Sequence, residues 1–539
     1  MLYVYFFLIL ISILGYGFFV STSIIHFNKS NLGYQGIVGL FSLLLISYIS
    51  TQFIAHNIVF NTLVLLIGLI FFSMNIKKMH INKKSFQLFF FLTFLSLIFI
   101  SIGKNHDDFF YYHFPYILIL TEYAHPLGLG NMNHGFKTHS SIFLLSSLFH
   151  LPGANYNLFH LVPAYILIFS NYIILKLIFN KEIKKDYKFI TFLSLSSLVF
   201  INIFFYRLGE HGSDRSAMIL IILLIINIFY FINKKRKSKE AVDDNFLKIF
   251  TIIFTMIVSL KAFYLTYLIF FIPLILIVYK KKKSLRLFFN LNLLLCILLF
   301  GFVILTNFFN TGCLLFPEKR TCFFNMPWSI SLETVEYLRI HYENWAKAGS
   351  GAGYSLNDEA KLEYISDFNW IYNWLDKYFF NKISDLLYSL GFIVLIFFIL
   401  FKGSKSPKKY HRKYKIIFFS LILIFVLWFM LHPTLRYGGY HLFFLLIFIP
   451  VSLFLEKLSK NIKNLDNKIM VIVIITALLF IGRNSNRLIK EYKIYSYKPF
   501  TNVNYPLHDD GFRYRSIFKK KIKENQAIEI YKNRYIFYR

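Results

Sequence analysis

The sequence predicts an all-α fold, a polytopic transmembrane helical bundle of about 13 to 14 spans. Three observations predict it. Hydrophobic residues make up 57% of the 539 residues and mean hydropathy is +0.55, too apolar for a soluble chain of this size. Apolar runs able to cross a hydrocarbon core of ~30 Å, which takes ~20 helical residues, recur along most of the chain. The connections alternate between lysine-rich turns and longer segments that are aromatic or mixed in charge.

In order, the runs lie near 2–20, 36–54, 58–75, 85–103, 155–179, 189–206, 216–233, 246–260, 263–279, 287–308, 385–402, 416–431, 440–456 and 469–482. The first, Leu2 to Val20, lacks the basic start and small-residue cleavage site of a signal peptide and reads as a retained span. A run at 139–151 is too short to cross alone and reads as a re-entrant or surface helix, or as the first part of a broken span.

The lysine-rich connections carry Lys77, Lys78, Lys83 and Lys84, then Lys181 to Lys188, Lys234 to Lys239, Lys280 to Arg286, Lys402 to Lys415 and Lys457 to Lys468. The positive-inside rule assigns them to the cytoplasm. The other side then receives 104–138, 207–215, 309–384, 432–439, the tail after Ile481 and the hairpin tip at Lys261. The expected organisation is a transmembrane helical domain over 1–482, with extracytoplasmic loops at 104–138 and 309–384, and an extracytoplasmic tail over 483–539.

A formal charge of +32 invites a nucleic-acid reading. The basic residues sit in short clusters between apolar runs, not on one soluble face with interleaved aromatics, so no nucleic-acid partner is expected. Of the three cysteines, Cys296 lies inside a run and reads as an apolar filler. Cys313 and Cys322 share the 309–384 loop; on the extracytoplasmic side they are expected to form a disulfide, and on the other side two free thiols.

Polar residues at the outer ends of the runs need a reason. The first long outer loop opens with Lys104, Asn105, His106, Asp107 and Asp108 and continues through Tyr111, Tyr112 and His113 to Tyr116. Adjacent carboxylates repel, so one is raised in pKa or a cation neutralises both. Either state suits chemistry, as a base for a hydroxyl proton or as ligands to a divalent ion. The alternative is a hydrated acidic cap on an interfacial aromatic belt. The stretch from Gly128 to Ser141 is a Gly- and Asn-rich turn loaded with donors, including Asn131, His134, Lys137 and His139. It can hold sugar hydroxyls or a phosphate, or be ordinary turn chemistry. Asp214 and Arg215 in the 207–215 link, Lys261, Arg436 and Tyr437 in the 432–439 link, and Arg483 and Arg487 add charge from distant parts of the chain. Ionisable groups at membrane depth are costly and usually face a cavity or a partner, although a lone lysine also snorkels. Cations facing a few carboxylates suit an anionic phosphate headgroup whose attached group undergoes substitution.

The arrangement from Asp108 to His113, the stretch from Gly128 to Ser141, the run from Thr311 to Pro317 with Trp328 after it, and the Pro433 to Tyr437 element resemble a family of largely uncharacterised bacterial multi-spanning membrane proteins. That family in turn resembles the GT-C glycosyltransferases, which carry an acidic motif in an early extracytoplasmic loop and use lipid-phosphate-linked sugar donors. The resemblance implies Asp107 or Asp108 as the catalytic carboxylate, with Asp108 and Asp214 as ligands to a divalent cation, Mg2+ or Mn2+. Cations such as Arg436 would hold the donor phosphate, and with the polar loop residues above the expected substrate-binding set is His113, Asn131, His134, Lys137, Asp214, Arg215, Lys261, Arg436 and Tyr437. The acidic loop here follows the fourth run, whereas in typical GT-C members it follows the first.

The expectation is therefore a cell-envelope glycosyltransferase of polysaccharide biosynthesis in a bacterial inner membrane. It moves a sugar from a polyprenyl-phosphate donor to a surface glycan or lipid, with Tyr111, Tyr112, Trp328 and Trp345 as candidates to stack on sugar rings. One rival is an O-antigen ligase or polymerase, which leans on outer arginines and needs no early acidic pair. Another is a flippase or secondary transporter, which predicts charges buried mid-span and repeated halves. A third is a non-catalytic scaffold.

Overall fold

The computed structural model describes residues 1–27, 31–78, 82–103, 108–154, 156–210, 213–237, 244–279, 290–349, 358–403, 412–458, 462–496, 498, 520, 527–531 and 534–537. It is a polytopic helical bundle. Among the described residues, 11 helices are long and apolar enough to cross a membrane, and three shorter apolar helices lie at 188–204, 245–260 and 262–276. These three are the runs expected near 189–206, 246–260 and 263–279. They fall short of a full span because one gives way to a 3-10 turn at Tyr206, another stops at Lys261, and the third begins as a nine-residue 3-10 segment, Ala262–Phe270. The chain is a multi-pass membrane protein.

Leu32–Thr51, Leu161–Phe179 and Ser213–Lys237 form the centre, and their spans are apolar and buried on nearly every side. Around them Ile58–Asn75, Leu291–Thr311, Ser384–Phe401, Arg412–Leu431 and Leu465–Tyr495 bury one stripe each. Their other faces carry exposed Leu66, Ile70, Leu294, Ile297, Phe392, Ile399, Phe419 and Leu478. Outward apolar faces of this kind match a lipid solvent. Small residues allow the N-terminal helices to approach closely. A Cβ on Gly39 would lie 1.9 Å from the Ile13 carbonyl, and one on Gly68 would lie 1.9 Å from Ser12 Oγ.

Two boundaries differ from expectation. Trp370–Trp374 runs through a π-helical segment, Leu375–Ile383, into Ser384–Phe401, so the loop expected to reach 384 ends near 370. The last helix runs from Leu465 to Tyr495, past the expected tail boundary at 482. Its polar extension finds partners on the bundle. Arg483 donates to the Ile203 carbonyl at 2.5 Å, Arg487 to the Tyr206 carbonyl at 2.8 Å, and Glu491 accepts from the Gly103 amide at 2.8 Å. Beyond it, Ala527–Tyr531 and Arg534–Phe537 form an antiparallel hairpin. The hairpin adds to the backbone of Leu127, whose amide donates to the Tyr535 carbonyl and whose carbonyl accepts from the Phe537 amide.

The two ends of the bundle differ in chemistry. At one end Lys184 pairs with Asp466 at 2.5 Å and Lys468 donates to the Leu400 carbonyl. At the other, His56 and His125 join the 51–56 turn to the 120–125 segment through backbone bonds to Leu120 and Thr51. The short helices Phe114–Glu122 and Ser141–Ser147 pack together here, the latter where the run at 139–151 was too short to span. Cys313 and Cys322 are joined by a disulfide within a small apolar cluster of Phe316, Ile330, Val335 and Leu338.

Candidate functional site

Four ionisable side chains from four separate links meet at this second end. Asp214 occupies the first turn of Ser213–Lys237, where a carboxylate suits the positive end of the helix dipole. Lys261 is the N-cap of the Ala262–Phe270 segment, in extended backbone (φ −159°, ψ 123°) just past the helix that ends at Leu260. Its Nζ lies 2.5 Å from Asp214 Oδ1 and 4.1 Å from the centroid of the Tyr437 ring. Arg436 Nε donates to Asp214 Oδ2 at 3.0 Å, and its Nη2 donates to Asp108 Oδ2. Tyr112 OH lies 3.4 Å from both Arg436 Nη2 and Asp108 Oδ2. Two carboxylates and two cations thus share one chain of contacts.

Arg436 is held by a braced turn. Leu435–Tyr437 is a 3-10 turn opened by Thr434, whose hydroxyl accepts from the Tyr437 amide at 3.3 Å, and it ends at Gly438 with φ +126°. Three aromatic side chains fix its backbone: Trp374 donates to the Pro433 carbonyl at 2.8 Å, Trp428 donates to the Thr434 carbonyl at 2.9 Å, and Tyr378 accepts from the Leu435 amide at 2.7 Å while its ring is buried. These braces fix the backbone from which the guanidinium projects towards Asp214 and Asp108.

A cavity of about 340 Å³ adjoins the network. Asp214, Lys261 and Arg436 line it, with Tyr112, Tyr342, Tyr437, Phe263 and Phe316 as aromatic walls and Thr138, His139, Ser140, Ser259 and Asn307 as an uncharged part. Asp108 does not line it; its contact with the cavity runs through Arg436 and Tyr112. Its side chain is 23% exposed, against 14% for Asp214.

Burial sets the electrostatics. It draws the Lys261 ammonium below its usual range, an effect partly offset by Asp214. Burial alone would lower Arg436 too, but Asp214, Tyr112 and Asp108 outweigh it and hold the guanidinium firmly charged. Burial pushes the Tyr437 hydroxyl up to about 12, against the pull of Arg436. His139 and His432 are lowered to about 4, mainly by burial, with Lys261 and Lys347 adding to the effect at His432.

The other expected site residues do not line the cavity. His113 is wedged between Tyr112 and Phe143 and does not line the cavity. Asn131 donates to the Trp328 carbonyl at 2.9 Å and ties the two long loops together. His134 lies against His341 and Tyr342, and burial with Lys137 beside it lowers it to about 4. Lys137 is lowered by burial, and neither it nor Arg215 reaches the cavity lining. Trp328 donates to the Phe308 carbonyl, and Trp345 lies against Tyr437. Asp107 lies outside the described residues.

The donor set does not fit a divalent cation. Asp108 and Asp214 already face a guanidinium and an ammonium, and a third cation between them would meet both. Among the described residues no group of three or more His, Cys, Asp or Glu side chains is placed to hold a metal ion. What remains is anion chemistry: Arg436 Nη1 has no hydrogen-bond partner among the described residues, and Lys261 Nζ spends one of its three donors on Asp214.

Asn307 and His432 line the cavity without having been expected as site residues, whereas Tyr112 and His139 were already named within their loops. Asn307 carried the one available signal, an amide inside an apolar run. Residues 1–443 match the family model described as a domain of unknown function, DUF8201. No curated protein and no solved structure matches the chain.

Proposed function

The chain belongs to the DUF8201 family, and on that premise we propose that it is a GT-C-like glycosyltransferase working at the non-cytoplasmic face of a bacterial inner membrane. It moves a glycosyl unit from a polyprenyl-phosphate donor to a glycan or lipid hydroxyl. The observation that carries this reading is the pair of cations with spare donors beside an aromatic cavity, both oriented by Asp214. Asp214 has both oxygens engaged and acts as the anchor. Asp108, more open at the edge of the network, is the base.

In this reaction Asp108 takes the proton of the acceptor hydroxyl as that oxygen bonds to the anomeric carbon. The bond from the anomeric carbon to the phosphate oxygen breaks, and the electron pair leaves with the phosphate. Lys261 and Arg436 stabilise the charge that develops there. The lysine-rich end of the bundle supports a cytoplasmic assignment for that end and hence the opposite one for the site.

The test is profiling of surface glycans and lipid-linked sugars in a deletion strain complemented with wild type, Asp108→Asn or Arg436→Gln. A changed profile restored by wild type and by neither variant is expected. Profiles unchanged by the deletion remove the transferase reading. Full complementation by Asp108→Asn points instead to a ligase that depends on outer arginines.

A further inference from the structure

Part of the cavity lining carries no charge, and its hydrogen bonds are directional. Asn307 Nδ2 donates to the Leu314 carbonyl at 3.3 Å, so its Oδ1 accepts from His139 Nδ1 at 3.0 Å. His139 Nε2 is then left to accept from the Tyr48 hydroxyl at 3.1 Å, a tautomer assigned from this network. The chain ties the Leu32–Thr51 and Leu291–Thr311 helices and the disulfide loop to one face of the cavity. Ser259 Oγ is satisfied by Ser141 Oγ at 2.9 Å.

Two lining groups are not satisfied. Ser140 Oγ and His432 Nδ1 are buried with no hydrogen-bond partner among the described residues, and Ser140 is only 6% exposed. Leaving a buried hydroxyl unpaired is costly, so such a group in a cavity wall is one that a ligand is positioned to complete. The ligand group has to be polar and uncharged. His139 and His432 are both held neutral at pH 7, mainly by burial; Lys261 and Lys347 act on His432, whereas no cation contributes at His139, so the wall of Ser140, His139 and Asn307 offers no counter-charge to a carboxylate. A hydroxyl, which both donates and accepts, meets the need of a serine oxygen and an imidazole nitrogen alike.

We propose that Ser140 and His432, together with His139 and Asn307, form an uncharged subsite that binds hydroxyl groups of a neutral glycosyl unit. It lies in the same cavity as the Lys261 and Arg436 anion site, and it rests on the glycosyl-transfer reading for its biological sense. It selects hexoses over uronic acids, because a uronate carboxylate facing Ser140, His139 and Asn307 would lose hydration and gain no cation.

Saturation-transfer NMR on the purified full-length protein in nanodiscs tests this, with methyl α-glucopyranoside, methyl α-galactopyranoside and methyl glucuronoside as probes. A neutral glycoside is expected to bind, with affinity lowered at least about fivefold by Ser140→Ala, the worth of one hydrogen bond of ~1 kcal/mol. His432→Phe should do the same, and it carries the test if Ser140→Ala fails to fold. The glucuronoside should bind at least about fivefold more weakly than the neutral probes. Absence of binding by both neutral probes, a smaller loss in the folded variants, or equal affinity for the glucuronoside overturns the subsite. Neutral-glycoside binding in a protein whose deletion leaves all profiles unchanged would sink glycosyl transfer and leave the subsite standing. Changed profiles with Ser140-independent binding would do the reverse.

Discussion

Arg436 Nε donates to Asp214 Oδ2 at 3.0 Å and so joins two loops separated by 222 residues in sequence. Lys261 takes the other oxygen of the same carboxylate. Asp214 therefore decides where both cations point, and the turn around Arg436 is braced independently by Trp374, Trp428 and Tyr378. A rigid cation pair around one shared anion is preorganised for a second anion, because little side-chain freedom remains to be lost on binding.

The buried histidines make stability fall in acid. His139 is lowered from 6.5 to about 4 by burial, against the bond from Asn307. Below pH 6.5 the unfolded chain binds a proton that the folded chain refuses, so the contribution is whole above 6.5 and is lost as pH falls towards 4. Thermal midpoints in detergent should drop over that window. His139→Gln, which keeps a polar side chain at the position, should flatten the slope by up to about 1.4 kcal/mol per pH unit. An unchanged slope would mean that His139 titrates normally.

Gly128 adopts φ +77°, and a Cβ there would sit 2.3 Å from the Phe537 carbonyl and 3.0 Å from Trp328 Cβ. Gly128→Ala should therefore strain the backbone and lift the C-terminal hairpin off Leu127. Limited proteolysis is expected to cleave the tail of this variant several-fold faster than that of the wild type. Equal cleavage rates would show that the hairpin docks by other contacts.

The disulfide joins cysteines nine positions apart and closes a loop that carries Phe316 and Pro317 to the cavity. Chain entropy over a loop of this length is worth roughly 2–3 kcal/mol. Cys313→Ser with Cys322→Ser should lower the thermal midpoint and raise hydrogen exchange first in 312–331. A midpoint that stays put would show that the Phe316, Ile330 and Val335 cluster suffices alone.

Much of the bundle was legible because the hydrocarbon core demands ~20 apolar residues per crossing, a signal that does not depend on tertiary context. Asp214, Lys261 and Arg436 stood out for the related reason that a charge beside an apolar run needs a partner. Trp370–Ile383 and the extension from Arg483 to Tyr495 were illegible as helix, because their polar residues are satisfied by partners elsewhere in the fold. Arg483, for example, bonds a carbonyl 280 residues away. His113 and Asn131 share residue types with site residues, and only packing against Phe143 and Trp328 separates them from the cavity. Ser140 was visible as part of a donor-rich turn, but its unsatisfied oxygen is a property of the assembled cavity.

A double-mutant cycle on Asp214→Asn and Arg436→Gln tests most directly whether the distant loops share one charge network. Unfolding would be followed in detergent for the wild type, both single variants and the double. Removing one partner of this half-buried pair leaves the other uncompensated, so the singles should each be destabilising and the double less so than their sum. A coupling energy of about 1–3 kcal/mol is expected. Single effects that add to within about 0.5 kcal/mol would contradict the network.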